Sequence, residues 1–224
     1  MNIGIVYTST TPELIVLIES TLSEYLGDCG EVTVRSYQNP EILSCVREAG
    51  EMTPESARRL LDLYETAAAD GAKIILSACS SVGDFAEIAA KLYAMTDVRL
   101  IRIDEDMAAA VVQSAERIGV VATLSTTFGP TKRLLQNCAA RIGKAIVLTE
   151  VLADGAFGLD QIALKQRLID VCAVVRDQVD TFVLAQGTMA FAEQDISDAL
   201  GMSVFSSIRF GVEAVADAVK SSLS

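Results

Sequence analysis

Lys73–Asp84, with the sequence KIILSACSSVGD, is the stretch from which the fold of this chain can be worked out. Apolar and small residues run directly into a cysteine, two serines and a glycine, and a helical pattern follows from Phe85. This order predicts a buried parallel strand that delivers Cys79 to a strand-to-helix turn, at the edge of an open α/β sheet where ligands usually bind. The first N–H groups of the helix would favour an anion there and lower the thiol pKa. Most free cysteines are small buried hydrophobes, so position alone leaves both interpretations of Cys79 open.

The composition favours an α/β protein with an aliphatic core. Of the 224 residues, 51% are hydrophobic, while 5% are aromatic and Trp is absent. Such a core is expected where helices cover parallel strands. The 18 basic residues against 30 acidic ones give a net charge of −12, which opposes long-range attraction to nucleic acid or to an anionic membrane. We therefore expect neither as a partner.

The cysteines and the missing histidine restrict the chemistry. Five cysteines are scattered without a CxxC pair, and the chain contains no histidine, so Ser-His and Cys-His mechanisms are excluded. A zinc site would need cysteines and carboxylates alone, and their spacing does not suggest one. The first residues read as a strand and lack the features of a signal peptide. We expect reduced thiols, no bound metal and a cytoplasmic protein.

The two halves of the chain repeat one pattern. A strand, the residues TSTT, a proline and a helix at 3–26 correspond to a strand, TLSTTFGP and a helix at 118–141. Likewise, strand–ACSS–helix at 74–85 corresponds to strand–AQGT–helix at 181–190. Alternating strands and helices predict parallel sheets, hence two related α/β units whose hydroxyl-rich turns meet in a cleft. Ser and Thr also favour turns and caps, which is the structural alternative for these residues.

Other segments are assigned structural roles. Residues 39–50 are predicted to contain a turn, with room for a short helix, in a loop near the site. Asp84 and the acidic run from Asp104 to Asp106 are interpreted as helix caps and solvated faces. Cys172 lies in an apolar helical pattern and is predicted to pack in the core.

These turns, in this order, resemble the aspartate/glutamate/hydantoin racemase superfamily, which also includes arylmalonate decarboxylases and maleate isomerases. The resemblance covers nearly the whole chain. The matching stretches are Met52–Leu60 (MTPESARRL), Ala78–Gly83 (ACSSVG), Ile103–Met107 (IDEDM), Ile118–Pro130 (IGVVATLSTTFGP) and Leu184–Ala190 (LAQGTMA).

The resemblance implies two pseudo-symmetric α/β domains, each with a mostly parallel four-stranded sheet flanked by helices. The active site would lie in the cleft between them. Residues 1–103 plus 207–224 would form the first lobe and residues 104–206 the second. The family works without a cofactor on small carboxylates, and relatives are often dimers, so a homo-oligomer is an open expectation here.

The resemblance also assigns the reacting groups. In two-cysteine members, one thiol removes the α-proton and the other returns a proton to the opposite face, which is general acid–base catalysis by paired groups. Cys79 falls on the first cysteine position. By the same resemblance Gly187 falls on the second, and Thr188 matches the threonine that follows it. Glycine is neither acid nor base, which argues against a two-thiol racemisation.

Hydroxyls and backbone N–H groups of the turns would hold the substrate carboxylate and the enolate-like charge. The predicted binding residues are Thr8, Ser9, Thr10, Ser80, Ser81, Thr123, Ser125, Thr126, Gly187 and Thr188.

Three functions are compatible with one thiol. The first is a racemase or isomerase that moves the α-proton of an amino acid or related small carboxylate with Cys79. The second is a malonate-type decarboxylase with Cys79 as the single proton donor. The third is a protein that only binds a small anion. The overall resemblance to racemases favours the first function, while Gly187 counts against it.

Overall fold

The computed structural model describes residues 1–9, 11–27 and 30–223. The chain divides into two compact units: Met1–Asp104 with Ile208–Ser224, and Glu105–Ser207. Thr10, one of the predicted binding residues, lies outside the described residues. Within the described ranges, no helix has both the length and the apolar character that a membrane crossing requires.

Strands and helices alternate along both units. In the first unit they are β1 Asn2–Tyr7, α1 Pro12–Leu26, β2 Thr33–Gln38, α2 Pro40–Ala49, α3 Pro54–Ala69, β3 Ile74–Ser77, α4 Gly83–Tyr93 and β4 Arg99–Arg102. In the second they are α5 Glu105–Ser114, β5 Arg117–Ala122, α6 Phe128–Arg141, β6 Val147–Leu152, α7 Gln161–Val175, β7 Thr181–Leu184, α8 Glu193–Leu200 and β8 Val204–Ser206. The last helix, α9 Ser207–Leu223, returns the chain to the first unit.

Each unit contains one four-stranded sheet in which all neighbours pair in parallel. The strand orders are β2-β1-β3-β4 and β6-β5-β7-β8, so the second sheet repeats the order of the first. Parallel strands joined by helical crossovers end at the same edge of the sheet. The prediction of two related α/β units, each a parallel four-stranded sheet flanked by helices, is confirmed.

The central strands are buried on both faces. All four residues of β3 are buried, and its apolar run lacks alternation because helices cover both sides of the sheet. On one side, Leu60 and Tyr64 of α3 pack with Ile75 of β3. Helix α3 begins with a capping box in which the Thr53 hydroxyl accepts from the N–H of Ser56 at 3.1 Å. That cap fixes where the helix starts and so which face it presents to the core.

The segment at 39–50, for which the sequence predicts a turn with room for a short helix, is almost entirely helical. It contains the ten-residue helix α2. The Asn39 side chain accepts from the N–H of Glu41 at 3.1 Å, and Gly50 ends the helix with φ of +77°. Ile42 and Val46, one turn apart, are both fully buried in the core of the first unit.

A buried ion pair closes the end of β4. Arg102 Nε lies 2.6 Å from Asp104 Oδ1, and Nη2 lies 3.1 Å from Oδ2, with side-chain exposures of 2% and 1%. The interpretation of Asp104 as a solvated cap is therefore wrong. Burial by itself lowers the pKa of Arg102, but the attraction of Asp104 raises it above the ordinary value. The guanidinium also lies against Gly83, where a Cβ would be 2.3 Å from Nη2. A side chain at position 83 would displace either the guanidinium or the start of α4.

Replacement of Arg102 tests whether this pair stabilises the first unit. Arg102→Met leaves Asp104 buried without its counter-charge, which should lower the free energy of unfolding by about 3–5 kcal/mol. Arg99→Met, on the exposed face of the same strand, should change it by less than about 0.5 kcal/mol. Urea unfolding followed by circular dichroism measures both. Equal effects of the two substitutions would contradict the assignment, and adding Asp104→Leu to Arg102→Met should restore much of the lost stability.

Candidate active site

Two neighbouring strands of the first sheet end beside each other, and the residues that follow them meet. Strand β1 pairs with β3 up to Val6 and Ser77, and the N–H of Ala78 extends the pairing by donating to the carbonyl of Val6 at 2.9 Å. Cys79 is still extended, with φ of −142° and ψ of 115°. A short 3₁₀ turn at Ser80–Val82 then leads into α4. The thiol thus stands at the carboxyl edge of the sheet, as predicted.

Several donors converge on the half-buried sulfur of Cys79. The Thr8 hydroxyl, the N–H groups of Ser81 and Val82 and the Ser81 hydroxyl all act on it. Burial raises the pKa of the Cys79 thiol, these hydrogen bonds lower it, and the net result is a pKa above the ordinary value. The group is therefore a protonated thiol near neutral pH, with donors already in place to receive its thiolate.

Thr8 follows the neighbouring strand. It is 1% exposed, its hydroxyl has no hydrogen-bond partner among the described residues, and it lowers the pKa of the Cys79 thiol. A buried hydroxyl without a partner costs free energy, which turn formation alone does not explain. The parallel pairing of β1 with β3 brings Thr8 beside the thiol.

Behind the thiol lies a buried polar pair that the sequence did not indicate. The Tyr64 hydroxyl and the Ser77 hydroxyl are 2.7 Å apart. Burial raises the pKa of Tyr64 above its ordinary value, the Ser77 hydrogen bond lowers it, and charge on Cys79 raises it further. Tyr64 remains neutral and fills the space between α3 and β3. No sequence pattern links this tyrosine to the strand that carries the thiol.

The second unit has a corresponding pair of strand ends, with different chemistry. Thr123 follows β5 and Gln186 follows β7, and both are buried, with exposures of 7% and 9%. Gln186 Oε1 accepts from the Thr123 N–H at 2.7 Å and from the Thr123 hydroxyl at 3.0 Å. Gln186 was not among the predicted site residues, because an amide next to a Gly-Thr turn carries no distinctive signal.

The structure brings some of the predicted residues together and separates others. Thr8, Ser81 and Cys79 form one cluster, and Thr123 is joined to Gln186. Ser80 is buried in the turn after Cys79, Ser9 is half-buried in the bend after β1, and Ser125 is exposed. Thr126, Gly187 and Thr188 are half-buried, and the Thr126 hydroxyl has no partner among the described residues. Cys172 is fully buried within an apolar cluster, and burial raises its pKa to about 12, as expected of a core thiol.

The family model of the Asp/Glu/hydantoin racemases matches residues 3–215. The chain belongs to this family. The match covers both units, so the resemblance inferred from the turns is confirmed, and membership supports a racemase or isomerase type of function.

Solved structures share the fold at low sequence identity. Glutamate racemase isoform RacE1 from Bacillus anthracis aligns with a TM-score of 0.74 and 14% identity over 98% of this chain and 82% of that protein. Allantoin racemase from Klebsiella pneumoniae gives 0.63 and 17% over 100% and 87%. Unliganded arylmalonate decarboxylase gives 0.59 and 14% over 97% and 92%. No curated protein matches the chain significantly. At these identities the structures establish the fold alone.

Alkylation of Cys79 tests the donor cluster without a substrate. The rate of reaction with iodoacetamide, followed by peptide mass spectrometry, should rise with pH and reach half its maximum above the ordinary thiol pKa, because burial outweighs the hydrogen bonds. Thr8→Val removes one donor to the thiolate and should raise the apparent pKa by about 1 unit. Cys45, on α2, is an internal control whose alkylation rate should be the same in both proteins. An unchanged Cys79 profile in Thr8→Val would refute the contact.

Proposed function

We propose that this protein is a cofactor-independent racemase or isomerase that moves the α-proton of an amino acid or related small carboxylate, with Cys79 as the acid–base group. The observation that carries the proposal is the position of the thiol at the carboxyl edge of the first sheet, where the Thr8 hydroxyl and the Ser81 and Val82 N–H groups lower its pKa. Family membership supports proton-transfer chemistry, and these donors supply what a thiolate needs if it is to form and persist.

The proposed reaction breaks the α C–H bond and gives the proton to the Cys79 thiolate. The electron pair moves into the adjacent carboxyl or carbonyl group, which becomes an enolate, and the thiol then returns a proton to carbon. Since the pKa of Cys79 is raised, its thiolate is a stronger base than an ordinary one. For the same reason, only a small fraction of the thiol is ionised at neutral pH. Because the thiolate becomes more populated as the pH rises, we expect the activity to rise with pH.

The binding roles belong to the same proposal. Hydroxyls and N–H groups of the strand-end turns would hold the substrate carboxylate in place of a basic side chain. On the first unit these are Thr8, Ser9, Thr10, Ser80 and Ser81; on the second they are Thr123, Ser125, Thr126, Gly187 and Thr188.

The cellular setting is also proposed. The cysteines that the structure describes, Cys45, Cys79, Cys138 and Cys172, are all free thiols. A mechanism that depends on a reduced thiol suits a reducing compartment, and we assign the protein to the cytoplasm.

Proton NMR in deuterated buffer tests the function. The protein is mixed with amino acids, hydantoins and aryl or alkyl malonates, and loss of the α-proton signal is followed. With the correct substrate, Cys79→Ala should reduce the exchange rate by about 10²–10⁴-fold, the usual contribution of a positioned acid–base group. Cys45→Ala is the matched control and should exchange like the parent protein.

Two outcomes would contradict the proposal. Exchange that survives in Cys79→Ala would exclude this thiol as the acid–base group. Release of carbon dioxide from a malonate, without α-exchange of any amino acid or hydantoin, would replace the racemase with a decarboxylase. Chiral chromatography of the recovered substrate distinguishes inversion from simple exchange.

A further inference from the structure

The two sheets can be aligned residue by residue from their hydrogen bonds. In the first, Val6 pairs with Ser77, and the Ala78 N–H donates to the Val6 carbonyl at 2.9 Å. In the second, Val121 pairs with Leu184, and the Ala185 N–H donates to the Val121 carbonyl at 2.9 Å. Ala78 and Ala185 are therefore equivalent. The residue that follows each is Cys79 in the first unit and Gln186 in the second.

The backbone beyond this point supports the same alignment. Cys79 has φ of −142° and ψ of 115°, and Gln186 has φ of −130° and ψ of 131°. Each residue stands immediately before a 3₁₀ turn, which begins at Ser80 in one unit and at Gly187 in the other. Gly187 is thus the counterpart of Ser80, one position beyond the residue that corresponds to the thiol.

The side-chain contacts match as well. Thr8 and Thr123 occupy the same place after the two central strands. The Thr8 hydroxyl acts on the Cys79 sulfur, and the Thr123 hydroxyl donates to Gln186 Oε1 at 3.0 Å. In both units, a buried threonine lies beside the residue two positions beyond the neighbouring strand, and in the second unit its hydroxyl donates to that residue.

We propose that Gln186, rather than Gly187, holds the position in the second unit that Cys79 holds in the first, and that its amide is a hydrogen-bond donor to the substrate. The donor role rests on the proposed function. The equivalence of the two positions rests on the strand pairing alone. The second unit then contributes a neutral group fixed in orientation, with no second acid or base.

The orientation of the amide follows from Thr123. A backbone N–H can only donate, so the Gln186 atom that faces it at 2.7 Å is the oxygen. The amide nitrogen is turned the other way, and the hydrogen bonds that Gln186 forms with described residues involve its oxygen. Two N–H bonds are therefore available to a carboxylate or to the oxygen of an enolate. Such donors, held in place before the reaction, stabilise charge that develops during it.

The first experiment tests the equivalence alone and needs no substrate. Gln186→Cys and Gly187→Cys are each made in a Cys79→Ser background, and the pH dependence of alkylation of the new thiol is measured by peptide mass spectrometry. Adding Thr123→Val should raise the apparent pKa of the thiol at position 186 by about 1 unit, since a donor to its thiolate is lost, and should leave position 187 unchanged. A response at 187, or none at 186, would overturn the inference. Circular dichroism verifies that each variant is folded.

The second experiment tests the donor role. Gln186→Glu keeps the shape and the acceptor for Thr123 but removes both N–H donors, and it should lower kcat/KM for α-exchange by about 10²–10³-fold. Gln178→Glu, on an exposed turn, adds the same charge and should have no effect. Unchanged exchange in Gln186→Glu would overturn the donor role. Absence of exchange in the parent protein would instead refute the proposed function, and the alkylation result would still decide the equivalence.

Discussion

In each sheet the two central strands run in parallel and stop at the same level, so the residues that follow them are brought within hydrogen-bonding reach. The pairing of Ile3–Val6 with Ile74–Ser77 places Thr8 beside Cys79, and the pairing of Ile118–Val121 with Thr181–Leu184 places Thr123 beside Gln186. These residues are positioned by strand pairing and not by the conformation of a flexible loop. A shift of either pair by one residue would reverse which face each side chain occupies and would separate the threonine from its partner.

A buried ion pair lies at the edge of the first sheet. Arg102 ends β4, is held by Asp104 through two hydrogen bonds, and lies against Gly83 at the start of α4. A pair with side-chain exposures of 2% and 1% carries a large desolvation cost, which apolar residues of the same size would avoid. What the pair provides is a defined position for the beginning of α4. The N–H groups that act on Cys79 come from the turn just before it, so the ion pair and the thiol share one segment of backbone.

Most of this architecture could be predicted from the sequence, because buried parallel strands leave uninterrupted apolar runs and the turns after them carry distinctive residues. Cys79 and Thr8 could be found in this way, since each follows such a run directly. The Tyr64–Ser77 contact could not be predicted, because it joins residues of two different elements. The Arg102–Asp104 contact could not be predicted either, because it depends on which acid of the run at 104–106 is buried. The sequence allows a short helix at α2, but the apolar stripe of Ile42 and Val46 is too short to show that the helix fills the whole segment between Asn39 and Gly50.

At Gln186, the strand hydrogen bonds and the amino-acid sequence align the two units differently. Matching the threonine after the family's second cysteine to Thr188 places Gly187 at the cysteine position, whereas the ladder and the Ala185 N–H align Gln186 with Cys79. The two alignments differ by one residue, yet they imply different chemistry. A glycine leaves the second unit without a functional side chain, while an amide fixed by Thr123 supplies donors that do not titrate. Because this position lies beyond the last paired residue, a thiol in one unit and an amide in the other are both compatible with the same strand pairing, and the two units differ in chemistry while sharing one fold.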